Sequence, residues 1–204
     1  YNEWYVPENM VLILVGNVNA QQIAGRIAGT FGRLEAKPLP TRKTYPDLEI
    51  KGRTQYSAKV GIYPSVCLVY PGVPAGHPDE LPLEIAMSLL SNGDHTGTLD
   101  KLTLDGELTD CGASPMTMRE QGRNIIQCIP LYDENQRRFE SNKSTEKKAL
   151  EAIRRVANGE FEDWKVEAIK MNLCRDFDVQ MESNTFKGHL LMDAFINGKD
   201  LAKV

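Results

Sequence analysis

Histidines offer the first place to look for chemistry, and the chain has three: His77, His95 and His189. A catalytic zinc site needs three convergent protein ligands, and two of them usually come from one helical turn. Neither H-E-x-x-H nor the inverted H-x-x-E-H occurs. The nearest approach is His77-Pro-Asp-Glu80-Leu81, which has the inverted spacing but places Leu81 where the second histidine must stand. Leucine cannot coordinate zinc, and Pro78 and Pro82 suit the start of a helix better than the middle of a ligand helix. Asp94-His95 is an adjacent acid and base without an activated Ser or Cys close in sequence, and reads as a solvated loop pair. His189 falls in a C-terminal helical segment, where it reads as a packing or surface residue. No serine sits in a G-x-S-x-G context, so no nucleophile elbow is indicated. Gly93-Asp-His-Thr-Gly97 lacks the Lys-Ser/Thr pair of a phosphate loop and does not directly follow a strand. The residues therefore assign this chain no catalytic group, no metal ligand and no cofactor of its own.

The cysteines are Cys67, Cys111, Cys128 and Cys174, with no C-x-x-C pair. Cys67 and Cys128 sit inside apolar strand-like runs, where a thiol behaves as a small buried hydrophobe. They read as free structural thiols; a disulfide or a thiolate metal site is the alternative, although the spacings match no zinc pattern. A net charge of -4 and a pI near 5.5 argue against a nucleic-acid partner, which would call for a basic stripe. The densest basic cluster, Lys143 to Lys148, is broken by Ser144, Thr145 and Glu146 and reads as a solvated helix face. The longest apolar run, residues 10–15, is too short to cross a bilayer, so no membrane insertion by this segment is expected. No signal peptide is present, and the chain opens on Tyr1 without an initiator Met, as a fragment of a longer chain would.

The elements that must position these residues follow from periodicity. Residues 10–15 are a continuous branched apolar run between Pro7 and Gly16, which predicts a strand buried on both faces. Asn19 can cap a following helix in which Ile23, Ile27 and Phe31 recur at helical spacing, with Gly32 as its stop. Residues 35–52 are rich in Pro, Lys, Thr and Asp and read as an extended loop. Strands are predicted at residues 55–63 and 66–73. A helix from about Asp79 turns Ile85, Leu89 and Leu90 inward, and a turn-rich stretch over residues 91–97 leads to a short helix at 99–104. Residues 107–118 and 123–131 flank a hairpin turn at Glu120-Gln-Gly-Arg123, with Gly122 expected in the left-handed position. The last third is helical: residues 136–157 with Phe139, Leu150, Ile153 and Val156 as apolar positions, then a helix marked by Phe161, Trp164, Ala168, Ile169, Leu173 and Phe177, then residues 185–196. The order β-α-β-β-α-α-β-β-α-α-α predicts an α+β fold, helices on one face of a mainly antiparallel sheet. Residues 1–204 read as a single domain, with a mixed α/β core over 1–132 and a helical part over 133–204.

The opening Tyr1-Asn-Glu-Trp-Tyr5-Val-Pro7-Glu-Asn9-Met10-Val-Leu-Ile-Leu-Val15-Gly16-Asn-Val resembles a signature of the insulinase/pitrilysin zinc metallopeptidases. In that family an aromatic-rich Tyr-x-Pro-x-Asn-Met segment runs into a buried strand ending in Val-Gly. The helix that closes in Phe31-Gly32, the runs at 66–74 and 79–90, Gly97-x-Leu99-x-x-Leu102, and the helix from Phe161 with Lys165 and Lys170 are similar in order and spacing. The resemblance covers nearly the whole chain, and its first eighteen residues carry most of the specificity.

The resemblance implies a two-layer α/β sandwich like those of insulinase and mitochondrial-processing-peptidase-like metallohydrolases, one of several related domains around a closed chamber. The inverted zinc motif would lie in an upstream domain, so zinc and hydrolysis belong to the parent and this chain is its non-catalytic, peptide-binding neighbour. Implied partners are a peptide or unfolded polypeptide, other domains of the same parent chain or a homologous subunit. The family's habit points to a bacterial periplasm or cell envelope. In resembling enzymes the stretch corresponding to residues 88–97 and the strand near 111–113 lie where a peptide terminus can be held. That nominates Ser91, Asn92, Gly93, Asp94, Cys111, Gly112 and Ala113 as peptide-anchoring residues. Ser91-Asn92-Gly93-Asp94 departs from the family's glycine-rich form, and the stretch also reads as a plain turn joining two packed helices. The competing function is structural: an assembly domain of an inactive family member that partners an active subunit. A third reading is an unrelated α+β binding domain.

Overall fold

The computed structural model describes residues 2–43, 45–46 and 50–203, which form two compact units. The larger comprises residues 60–180 and 196–199, and the smaller comprises residues 1–59, 181–195 and 200–204.

The larger unit is built on a three-stranded antiparallel sheet of β1 (Val66–Gly72), β2 (Leu108–Thr117) and β3 (Gly122–Pro130), in spatial order β1-β3-β2. Helices α2 (Glu80–Leu90), α3 (Thr98–Leu104) and α4 (Asn142–Ala157) cover one face of it. β3 explains why: it alternates, with Asn124, Ile126, Cys128 and Pro130 buried and Arg123 and Gln127 exposed. Ile126 and Cys128 of this set meet Met87 and Leu90 of α2, Leu99 of α3, and Ala149 and Ala152 of α4 in one cluster. The small alanines let α4 lie close to the sheet, while Leu99, fully enclosed at 0% exposure, fills the centre. Truncating such a leucine to alanine costs about 2–5 kcal/mol. α5 (Asp163–Gln180) packs on α2.

The hairpin turn sets the ladder's phase. Met118 N–H donates to Gln121 O at 3.0 Å, so the two-residue loop is Arg119-Glu120. Antiparallel pairs alternate between hydrogen-bonded and non-hydrogen-bonded. Counting from that bond makes Thr117↔Gly122, Pro115↔Asn124, Ala113↔Ile126 and Cys111↔Cys128 the non-hydrogen-bonded pairs. Pro115, which has no N–H to give, falls in this set as it must. The backbone groups of Cys111 and Ala113 therefore turn away from β3 toward the sheet's edge. Gly122 is not left-handed, contrary to expectation. Glycine is required there because a Cβ would lie 2.1 Å from Val73 O.

The two strands expected earliest in the chain are absent as ladders. Residues 10–15 form no ladder among the described residues, and Met10, Val11, Leu12 and Leu14 are exposed. Residues 55–63 are likewise without a ladder, and Tyr56, Val60 and Ile62 are exposed. Branched residues favour extended backbone, but only a neighbouring strand supplies the ladder. The helix expected from residue 136 starts at Asn142, because Arg138–Phe139 (β5) pairs with Tyr132–Asp133 (β4). Phe139 meets Tyr132 edge-on at 5.0 Å, and Ser141 caps α4 by accepting from Ser144 N–H at 3.2 Å. Leu150 and Phe177, apolar markers of the expected helices, are 38% and 46% exposed.

The smaller unit holds α1 (Ala20–Thr30) and all but the last residue of α6 (Asn184–Ile196). Asn19 caps α1 as predicted, accepting from Gln22 N–H at 3.1 Å. Ile23 and Ile27 are half-buried, but Phe31 is exposed. The opening motif folds on itself: Asn9 Nδ2 donates to Trp4 O at 3.0 Å, and Asn9 Oδ1 accepts from Arg42, which also lies over the Trp4 ring. No helix among the described residues is long and apolar enough to cross a membrane.

Candidate functional site

The two stretches nominated for anchoring, residues 91–94 and 111–113, are linked by a residue that periodicity did not single out. Asp100, in the first turn of α3, is 2% exposed. Its Oδ1 accepts from Ser91 Oγ at 2.7 Å, and its Oδ2 accepts from Asn92 N–H at 3.0 Å and Gly97 N–H at 2.9 Å. Cys111 Sγ of β2 lies 3.7 Å from the same Oδ1, close enough for a weak S–H donation. A buried carboxylate is tolerable only when its lone pairs are filled, and here donors come from both ends of one loop. The bond to Gly97 N–H is the N3-to-N-cap half of a capping box, so the same carboxylate also starts α3.

Asn92 braces the loop from within. Its Nδ2 donates to Ser88 O and Thr96 Oγ1, and its Oδ1 accepts from the N–H groups of Asp94 and Thr96. α5 holds the loop from outside: Lys165 Nζ donates to Thr96 O at 3.1 Å, and Asn172 Nδ2 donates to the Asp94 carboxylate. Asp94 is thus engaged with α5. His95 carries a φ of 55°, a left-handed conformation uncommon for a non-glycine residue. Gly97 must be glycine, because a Cβ would stand 2.3 Å from Leu90 O, whereas Gly93 faces open space.

On β2, Cys111 Sγ accepts from Thr103 Oγ1 at 3.4 Å. Burial pushes the Cys111 thiol up from its ordinary pKa; the Thr103 hydroxyl opposes this and the Asp100 carboxylate adds to it. A thiol held protonated is a poor nucleophile. Cys111 N–H is taken by Asp110 Oδ1 at 2.8 Å. Asp110, Cys111, Gly112, Gln127 and Ile129 line a cleft of about 180 Å³. A larger cleft, about 410 Å³, has Leu102 and Ala152 at its apolar part and Lys147, Lys148 and Arg155 beside Glu107 and Glu151. Its opposed charges are partly paired, as in Lys148 Nζ to Glu107 Oε2 at 3.8 Å.

His77 precedes α2 and its Nδ1 accepts from Asp79 N–H at 3.1 Å. Glu80, the glutamate of the near-motif, spends its carboxylate on Gly76 N–H, Thr117 Oγ1 and Lys199 Nζ. Burial pushes its pKa up, but those three partners outweigh burial and hold it below the ordinary glutamate value. His189 is exposed on α6. Among the described residues, no group of three or more His, Cys, Asp or Glu side chains gathers where a metal could sit.

The sequence model of the family described as the peptidase M16 inactive domain matches residues 1–173. The chain belongs to this family. It is therefore an inactive domain of the zinc-protease superfamily's insulinase branch, with the α+β architecture expected of one. Zinc protease PqqE of Helicobacter pylori is 22% identical over 197 residues, covering 95% of this chain and 43% of that protein. Protein YhjJ is 46% identical in Salmonella typhimurium and 44% in Escherichia coli, over a 46-residue stretch that is 20% of this chain and 9% of either protein. The crystal structure of a protease from Helicobacter pylori shares the fold, with a TM-score of 0.73 and 20% identity, covering 96% of this chain and 47% of that one. The chain thus spans less than half the length of the relatives it matches.

Proposed function

We propose that this inactive M16 domain is a peptide-holding wall of a zinc peptidase, with zinc and hydrolysis supplied by a domain outside residues 1–204. An extended peptide would add to the edge of β2 through the N–H and C=O of Ala113 and the C=O of Cys111, beside Gly112 and the cleft next to it. Edge pairing gives affinity from main-chain hydrogen bonds and leaves alternate side chains to be sorted by pockets. Ser91, Asn92, Gly93 and Asp94 would flank that edge in a loop stiffened by Asp100, Lys165 and Asn172. Binding energy gained here, away from the scissile bond, is available to orient the bond at the zinc. The observation that carries this reading is the edge position of β2, with the Ala113 backbone and the Cys111 carbonyl turned toward that edge and the Cys111 side chain joined through Asp100 to the loop.

Hydrogen exchange of the full-length protein, with and without a saturating unstructured peptide, tests it. Ala113 N–H and the amides of residues 91–97 are expected to slow on binding. Protection confined to other segments would sink the reading.

A second reading, an assembly domain that partners other domains or a homologous subunit, draws on α5. Trp164 and Met171, seven residues apart on one helical stripe, are 58% and 69% exposed, as suits a surface covered by a neighbour. The full-length protein separates the readings: an assembly domain would leave peptide affinity untouched when the loop of residues 91–97 is altered.

A further inference from the structure

We propose that Cys111 and Cys128 are a dithiol that closes to a cross-strand disulfide by exchange with a small-molecule disulfide, making β2 and the Asp100 cluster redox-responsive. The two residues are directly opposite in the β2·β3 register. Directly opposite residues project from the same face of a sheet, here the helix-covered one: Cys128 belongs to the core and Cys111 packs against it. The ladder's phase, set by the Met118–Gln121 bond and obeyed by Pro115, makes theirs a non-hydrogen-bonded pair. Such pairs have Cα atoms about 4.5 Å apart, with side chains at their closest. Disulfides span Cα separations of roughly 4.4–6.8 Å, so the pair can close without backbone movement, at the short and strained end of the range. Strained disulfides are the readily reduced ones, which makes the bond reversible. The remaining cysteines do not compete. Cys67 pairs with Gln127, on the opposite face, and Cys174 lies exposed on α5.

Access orders the steps. Cys111 is half-buried, whereas Cys128 is 1% exposed. Cys111, as thiolate, attacks one sulfur of R–S–S–R; that S–S bond breaks, and the departing R–S⁻ takes up the proton Cys111 lost. Cys128, as thiolate, then attacks the Cys111 sulfur of the mixed disulfide. The second R–S⁻ leaves and takes the Cys128 proton. Two protein thiols are oxidised and one R–S–S–R is reduced to two R–SH. Burial pushes the Cys128 thiol up to about 12 and raises Cys111 as well, so exchange is slow at neutral pH. Closure also removes the Cys111 S–H from Asp100 and leaves that carboxylate with Ser91, Asn92 and Gly97. The thiol chemistry stands whether or not β2 holds peptide.

The test uses full-length protein carrying Cys67→Ser and Cys174→Ser, both exposed positions whose replacement leaves the core intact. It is incubated with oxidised glutathione from about pH 7 to about pH 9, alkylated, digested without reductant and mapped by mass spectrometry. The expected product joins Cys111 to Cys128, is lost after dithiothreitol, and forms about tenfold faster per pH unit while both thiols are mostly protonated. Adding Cys128→Ala should stop the reaction at a glutathione adduct on Cys111, and adding Cys111→Ser should leave Cys128 unmodified. Recovery of both residues alkylated after prolonged exposure, or of the Cys111 adduct alone when Cys128 is present, overturns the proposal.

Discussion

Ser91 Oγ donates a 2.7 Å hydrogen bond to Asp100 Oδ1, joining the residue that ends α2 to the first turn of α3. Because the same carboxylate holds Asn92 N–H and Gly97 N–H, the loop between those helices is closed at both ends by one side chain. At 2% exposure Asp100 cannot itself touch a bound peptide. It is a positioning residue, and its effect on function must travel through the loop and through Cys111.

Asp100→Asn should therefore destabilise the protein by about 2–3 kcal/mol, since amide hydrogens would confront N–H donors that now meet a carboxylate. For a chain of this size that corresponds to a Tm lower by roughly 5–10 °C in calorimetry. An unchanged Tm would mean the buried network contributes nothing net.

Gly97 and Gly93 offer an internal contrast. Gly97→Ala forces a Cβ against the Leu90 carbonyl and should cost more than about 2 kcal/mol, whereas Gly93→Ala meets nothing within 4 Å and should stay within about 0.5 kcal/mol. Chemical denaturation of both variants decides it. Equal effects would show that the tight approach at Leu90 O is absent.

Glu84 gives a pH signature. Burial, and secondarily the neighbouring Glu80, raise its pKa. A raised folded-state value means its favourable contribution is present at acid pH and lost as pH rises through that value. Glu80, held low, contributes in the opposite sense: present above its unfolded value, lost as pH falls through the folded one. Glu84→Gln should then raise Tm at neutral pH by about 1–2 °C, with the gain vanishing below the ordinary glutamate range. A gain independent of pH would contradict the assignment.

Most of the larger unit could be read from residue pattern alone. The alternation in β3 and the helical spacing in α2, α4 and α5 each report a local property, namely which face is buried; the hairpin turn expected at 120–123 has Arg119-Glu120 as its loop. Residues 10–15 and 55–63 could not be read correctly that way. Their apolar, branched composition fits an extended backbone, but a ladder depends on a partner strand that no local pattern specifies. Asp100 was missed for a different reason. It sits where helical spacing predicts only a solvated acid, yet Gly97 at the N-cap with Asp three residues later is a capping signature, and Ser91 nine residues earlier is its second donor. Phe139 was assigned to a helix because its spacing to Leu150 and Ile153 is ambiguous, and the short β4·β5 pair carries little sequence signal.

Lys165 and Asn172, half-buried on α5, hold the loop through solvent-exposed bonds, so their removal should cost little global stability. Lys165→Ala combined with Asn172→Ala is expected to speed amide exchange over residues 94–97 about tenfold while Tm moves by no more than a few degrees. Unaltered exchange there would show that Asn92 and Asp100 alone fix the loop.

The central claim is that an extended peptide pairs with the edge of β2, and probing the peptide rather than the protein tests it without disturbing the fold. A bound peptide would be N-methylated one residue at a time and its affinity for the full-length protein measured. Strand pairing engages the N–H of every second residue, so affinity should fall about fivefold at alternate positions and hold at those between. A uniform response along the peptide, or none, would contradict pairing on β2 and leave the domain a structural one.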